Sequence, residues 1–85
     1  MKVVKGIKAV TCTFQDQFPK NTICECGGFA RIAFVAIEED DRFPNCVADL
    51  HENQEHGKFW PHDCIAVAVY FCEECAKPVT LWNQA

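Results

Sequence analysis

Seven cysteines occur in the 85 residues of this chain, and four of them fall into two close pairs. The first pair is Cys24-Glu25-Cys26-Gly27-Gly28 and the second is Cys72-Glu73-Glu74-Cys75. Each pair can present two thiolates on one side of a tight turn, and two such turns supply four soft sulfur ligands. That is the donor set of a structural zinc ion, which takes four deprotonated ligands in a tetrahedron with Zn–S bonds of about 2.3 Å. Glycine tolerates positive φ, so Gly27-Gly28 can reverse the chain directly after Cys26. The same turn frees backbone N–H groups to donate to the sulfurs and offset their charge. In the second pair Ala76-Lys77 stands where glycine is common, and Lys77 can temper the negative site. Cys24, Cys26, Cys72 and Cys75 are therefore the expected metal ligands. Four unliganded thiols or two disulfides are the competing readings, and the double glycine argues against both. Iron is the rival ion, because a tetrathiolate iron site uses the same ligands and carries electrons.

The remaining candidates are Cys12, Cys46 and Cys64 with His51, His56 and His62. Cys12 and Cys64 lie in apolar runs and read as small hydrophobes. Cys46, His51, His56, His62 and Cys64 could instead converge on a second metal, with His62-Asp63-Cys64 orienting the ligands. Histidines in a polar stretch are more often solvated. A catalytic zinc keeps one coordination position open and needs a general base nearby. No His-Glu-x-x-His occurs, no His-x-Glu occurs, and no proline precedes Cys72, which removes the deaminase pattern. A Cys46–His51 nucleophile pair has the right chemistry, but a chain of 85 residues leaves little room for a substrate cleft. The expectation is a protein that is not an enzyme. Glu38-Glu39-Asp40-Asp41 could hold a hard cation such as Ca²⁺, yet it lacks EF-hand spacing and reads as a solvated loop.

Composition agrees with a small metal-stabilised domain. The chain is 49 % apolar, too much for a disordered tail. A domain this short commonly needs a metal, disulfides or a partner. The cysteine count is odd, and the first eight residues alternate lysines with single apolar residues and show no hydrophobic leader. Reduced thiols in a cytoplasmic protein are therefore expected, and no run approaches a membrane span. Net charge is −4. Four thiolates on one divalent ion would add about two further negative charges. Such a domain does not attract phosphate backbones. Phe59, Trp60 and Trp82 could stack bases, but Lys2, Lys5, Lys8 and Lys20 are the one basic cluster.

The elements that must position the cysteines are strands. Residues 29–37 and 64–71 are strong β runs, the first apolar on both parities except Arg31, as in a central strand. If they pair antiparallel, the two cysteine pairs meet at one end of the sheet. Residues 2–14 alternate at Val10, Cys12 and Phe14 and read as a third strand, with its lysines on a wet edge. Residues 79–82 form a short final strand after the Lys77-Pro78 turn. Residues 15–22 read as a polar loop. Asn45 could cap a short helix within 45–52, with a short strand as the alternative, and Phe59-Trp60-Pro61 is a hydrophobic return. The whole is a mostly-β single domain, 1–85, with an antiparallel sheet of about 3–5 strands and 38–63 as an insert between the knuckle strands.

From Cys24 to about Trp82 the chain resembles the zinc-ribbon group, in which two cysteine knuckles sit on antiparallel hairpins. The resemblance rests on Cys24-Glu25-Cys26-Gly27-Gly28 and Cys72-Glu73-Glu74-Cys75, each followed by strand-like sequence. It implies Zn²⁺ on Cys24, Cys26, Cys72 and Cys75. Two features depart from the group: the first pair is separated by one residue, and the pairs stand unusually far apart in the chain. Zinc ribbons serve many processes, so the resemblance fixes none. The expected role is a structural-zinc domain acting as an accessory or protein-interaction module. The alternatives are a nucleic-acid-binding zinc ribbon and a rubredoxin-like iron electron carrier. Partners are expected to be protein, and a homodimer formed by pairing of strands 2–14 or 79–82 is a further expectation.

Overall fold

The computed structural model describes residues 1–38 and 64–85. Five strands make one antiparallel sheet: β1 (Lys2–Lys5), β2 (Asn21–Ile23), β3 (Phe29–Ile37), β4 (Ile65–Cys72) and β5 (Pro78–Gln84). The spatial order is β1-β3-β4-β5, and β2 shares the flank of β3 that β1 occupies. β1 lies along 34–37 of β3 and β2 along 29–31. None of the described helices is long and apolar enough to cross a membrane.

β3 and β4 form the centre, running antiparallel from Ala30↔Cys72 to Ile37↔Ala66. Their register shifts between Ile32 and Phe34, which leaves Ala33 as an extra residue. Such a bulge reverses the alternation of side chains along its strand. Ala30 and Ile32 before the bulge, and Val35 and Ile37 after it, therefore face the same side. This explains a β3 sequence that is apolar on both parities.

The buried face carries Ala30, Ile32, Val35, Ala66, Ala68, Tyr70 and Cys72. Ala9, Val10 and Phe18 cover it. Ala30, Ala66 and Ala68 are fully buried, and their small side chains let the covering segment approach the sheet.

Four expectations are corrected. Residues 2–14 are not one strand: β1 stops at Lys5, and Ile7–Thr11 form a 3₁₀ turn. Gly6 sits at φ 78, where glycine is favoured, and its N–H donates to the Ala33 carbonyl at the bulge (2.8 Å). The chain then crosses onto the sheet and buries Ala9 and Val10. The alternation at Val10, Cys12 and Phe14 yields to that burial. The polar loop 15–22 contains the start of β2, a strand too short to show a period. Glu38, read as part of a solvated loop, is 7 % exposed, and its carboxylate accepts the Ile65 N–H (3.2 Å). The last strand extends beyond 79–82 at both ends, with Pro78 opening an edge strand where a missing N–H is tolerated. The short helix within 45–52, the Phe59-Trp60-Pro61 return, the acidic residues 39–41 and the body of the insert 38–63 lie outside the described residues.

Candidate metal centre

Each cysteine pair occupies the loop of a β-hairpin. Cys24 and Cys26 lie between β2 and β3, Cys72 is the last residue of β4, and Cys75 lies between β4 and β5. Because β3 and β4 are antiparallel, both loops fall at the same end of the sheet, as expected.

The two loops follow one design with different lengths. In the first, the Cys24 N–H donates to the Gly28 carbonyl (3.0 Å) and the Gly27 N–H donates to the Cys24 carbonyl (2.9 Å). In the second, the Cys72 N–H donates to the Lys77 carbonyl (3.1 Å) and the Ala76 N–H donates to the Cys72 carbonyl (3.0 Å). Residues 25–27 fill the first closure and residues 73–76 the second. The second loop is one residue longer, as its cysteine spacing is. In both, the residue just before the closing position has positive φ: Gly27 at 88 and Ala76 at 62. A left-handed residue at the end of a short hairpin loop is what lets the strands resume pairing. The Glu73 N–H donates to the Phe29 carbonyl (2.8 Å) and so ties the second loop to the start of β3.

The four sulfurs converge. Cys24 Sγ and Cys75 Sγ are 3.6 Å apart, and Cys26 Sγ and Cys72 Sγ are 3.5 Å apart. All four ligand atoms lie within 4.8 Å of one another. A tetrahedron with bonds of about 2.3 Å has edges of about 3.8 Å, so the cluster fits a tetrathiolate ion. Gly28 is moulded around it. A Cβ at Gly28 would lie 2.8 Å from Cys72 Sγ, and 2.5 and 2.9 Å from the Glu74 side chain.

Backbone amides supply the charge compensation. The Cys75 N–H is the strongest influence on Cys72, burial opposes it, and the Glu74 N–H (3.4 Å) with the Cys26 and Cys75 thiols reinforces it. Cys72 is thereby lowered to about 7, in the range where a thiolate forms readily. For Cys26 the Gly28 N–H favours the thiolate, but the Cys72 and Cys75 thiols, burial and Cys24 together raise it to about 12. Cys72 therefore gives up its proton before Cys26, as expected of thiols competing at close range. Cys24 and Cys72 are buried members of the hydrophobic core, whereas Cys26 lies at the surface.

Cys12 is half-buried and packs against the core, as a small hydrophobe should. Neither Cys12 nor Cys64 joins a ligand cluster among the described residues. Cys46, His51, His56 and His62, the other members of the second candidate site, lie outside the described residues. Sequence reasoning missed the steric role of Gly28, which has no signal apart from a second glycine. Compared with known proteins, the chain matches no family model, no curated protein and no solved structure.

Proposed function

We propose that this chain is a zinc-ribbon-like domain in which Cys24, Cys26, Cys72 and Cys75 hold a structural Zn²⁺, and that it acts as an accessory or protein-interaction module. The observation that carries the proposal is the convergence of four sulfurs, from two hairpin loops, within 4.8 Å of one another. Four thiolates fill a tetrahedral coordination sphere and leave no position for water or substrate, which favours a structural role over catalysis. The net charge of −4, made more negative by the thiolates, favours protein over nucleic acid as a partner. Zinc is favoured over iron because the two loops are unequal, whereas rubredoxin-like sites use matched knuckles. Native mass spectrometry of the protein, expressed without added metal, tests the reading. One zinc per chain is expected. An apo mass, or a coloured protein carrying iron, would overturn it.

A further inference from the structure

The sheet buries one face and leaves the other apolar along its central strands, with Thr80 and Gln84 on the β5 edge. β4 points Ala66, Ala68, Tyr70 and Cys72 into the core, and Ile65, Val67, Val69 and Phe71 the opposite way. An antiparallel strand with one face in water alternates apolar with polar residues. β4 is apolar on both. Phe34 and Ala36 of β3 stand beside Val69 and Val67, and Trp82 of β5 stands beside Val67. None of these outer residues belongs to the described core, and Phe71 and Trp82 are 46 % and 48 % exposed. Among the described residues the charges on this face stand at its margins: Lys5 on β1, opposite Phe34, and Arg31, which pairs with Glu73 at the knuckle end.

We infer that this outer face packs against the same face of a second copy, giving a two-layer β-sandwich about a two-fold axis. A sheet that is apolar on both sides needs a layer on each, and the covering segment with Ala9, Val10 and Phe18 supplies one. Aligned sandwiches form between sheets of like twist crossed at about 30°, and a second copy brings a sheet of identical twist and width. The contact is isologous, so the aromatic and β-branched residues of one copy meet the same set on the other. The area suffices: the five strands, of three to nine residues each, hold 31 residues in all, and at about 3.3 Å rise and 4.8 Å strand spacing they present about 490 Å² per copy and about 1,000 Å² in total, the lower bound for a specific interface. Among the described residues the centre of the face carries no charge, which lets two chains of net charge −4 meet there without like charges in contact. This inference goes beyond the metal role and is independent of which ion is bound.

Sedimentation equilibrium of the metal-loaded full chain, over a wide concentration range, is the test. Wild type, Phe71→Lys, Val67→Lys and Ile7→Lys are compared. Wild type is expected at twice the 9.6 kDa chain mass. Val67→Lys places a charge at the centre of the face. Phe71→Lys places one towards the knuckle end, beside Arg31, at a side chain already half exposed, and so remains informative if Val67→Lys fails to fold. Each is expected to weaken the dimer at least a hundredfold while metal content stays at the wild-type value. Ile7 is 63 % exposed and lies on the 3₁₀ turn whose Ala9 and Val10 cover the opposite face of the sheet, so Ile7→Lys is expected to leave the dimer intact. A wild-type chain that stays monomeric at high concentration would overturn the inference. So would a dimer that survives both Phe71→Lys and Val67→Lys, because its contact would then lie elsewhere, such as at a sheet edge.

Discussion

Gly27 and Gly28 are neighbours with different constraints, and substitution separates them. Gly27 needs its positive φ of 88 but has open space where a Cβ would point. Gly28 has no such φ, yet a Cβ there would meet Cys72 Sγ and the Glu74 side chain. Gly27→Ala should therefore cost only the left-handed penalty, about 1 kcal/mol after allowing for the smaller entropy of the unfolded chain, with metal affinity nearly intact. Gly28→Ala should displace a ligand sulfur and lower metal affinity by at least tenfold. Competition titration against a chromophoric chelator reads both, and equal affinities in the two variants would refute the distinction. Ala76 is the converse case. It holds a left-handed φ of 62 with a side chain that disfavours it. Ala76→Gly should stabilise the domain by about 0.5–1 kcal/mol, visible as a higher denaturation midpoint, since removal of the Cβ strain outweighs the entropy glycine adds to the unfolded state. The clustering of Cys24, Cys26, Cys72 and Cys75 was legible in the sequence because metal chemistry demands particular residue types at close spacing. The fit of Gly28 was not, because it arises from a contact between two loops distant in the chain.

At the level of elements, the two hairpins bring the sulfurs together, and the segment between β1 and β2 closes the core over them. Tyr70 links the two systems. It is fully buried on β4, and its hydroxyl donates to the Pro19 carbonyl (2.7 Å), which fastens the covering segment to the central strand. Tyr70→Phe leaves that carbonyl without its donor and should destabilise the protein by about 1–2 kcal/mol at neutral pH. The pH dependence has a definite sign. Burial raises the Tyr70 pKa above its ordinary value of 10.0 because the fold disfavours the phenolate. The unfolded chain thus loses this proton first. The contribution is complete below pH about 10 and declines as pH rises through the folded value. Urea denaturation at neutral and strongly alkaline pH should show a smaller alkaline loss in Tyr70→Phe than in wild type, and identical losses would rule out this role. The central strands were readable because β-branched and aromatic runs leave few alternatives. Three features escaped. The 3₁₀ turn at Ile7–Thr11 carries an alternation that mimics a strand. β2 owes its existence to pairing with β3, not to its own composition. The bulge at Ala33 is a property of register between two strands, which no single run records.

For the molecule as a whole, an ion held by the four cysteines would join the hydrophobic core in one cooperative unit. Cys24 and Cys72 belong to the buried cluster that continues through Ala30 and Tyr70. Releasing the ion therefore loosens one end of the core as well as two surface loops. Structural zinc contributes about 10–16 kcal/mol of apparent binding free energy in small finger domains, comparable with the whole stability of a typical fold, about 5–15 kcal/mol. A single five-stranded sheet with one described covering segment has little reserve against such a loss. A chelator should thus abolish the cooperative thermal transition or lower its midpoint by at least about 20 °C, the shift that several kcal/mol produces in a domain of this size. Restoring Zn²⁺ should restore the transition. Acidification should act in the same direction, because protons compete with the ion for thiolates. Serine at Cys24 or Cys72 should reproduce the chelated state. Cys12→Ser, at a half-buried packing position, should cost about 1–2 kcal/mol and leave the bound metal in place. Circular dichroism melts with and without chelator, run beside metal analysis of each variant, distinguish these outcomes. A chelated protein that melts like the loaded one would mean that the sheet stands on its apolar core alone, and that the four thiols serve something other than the fold.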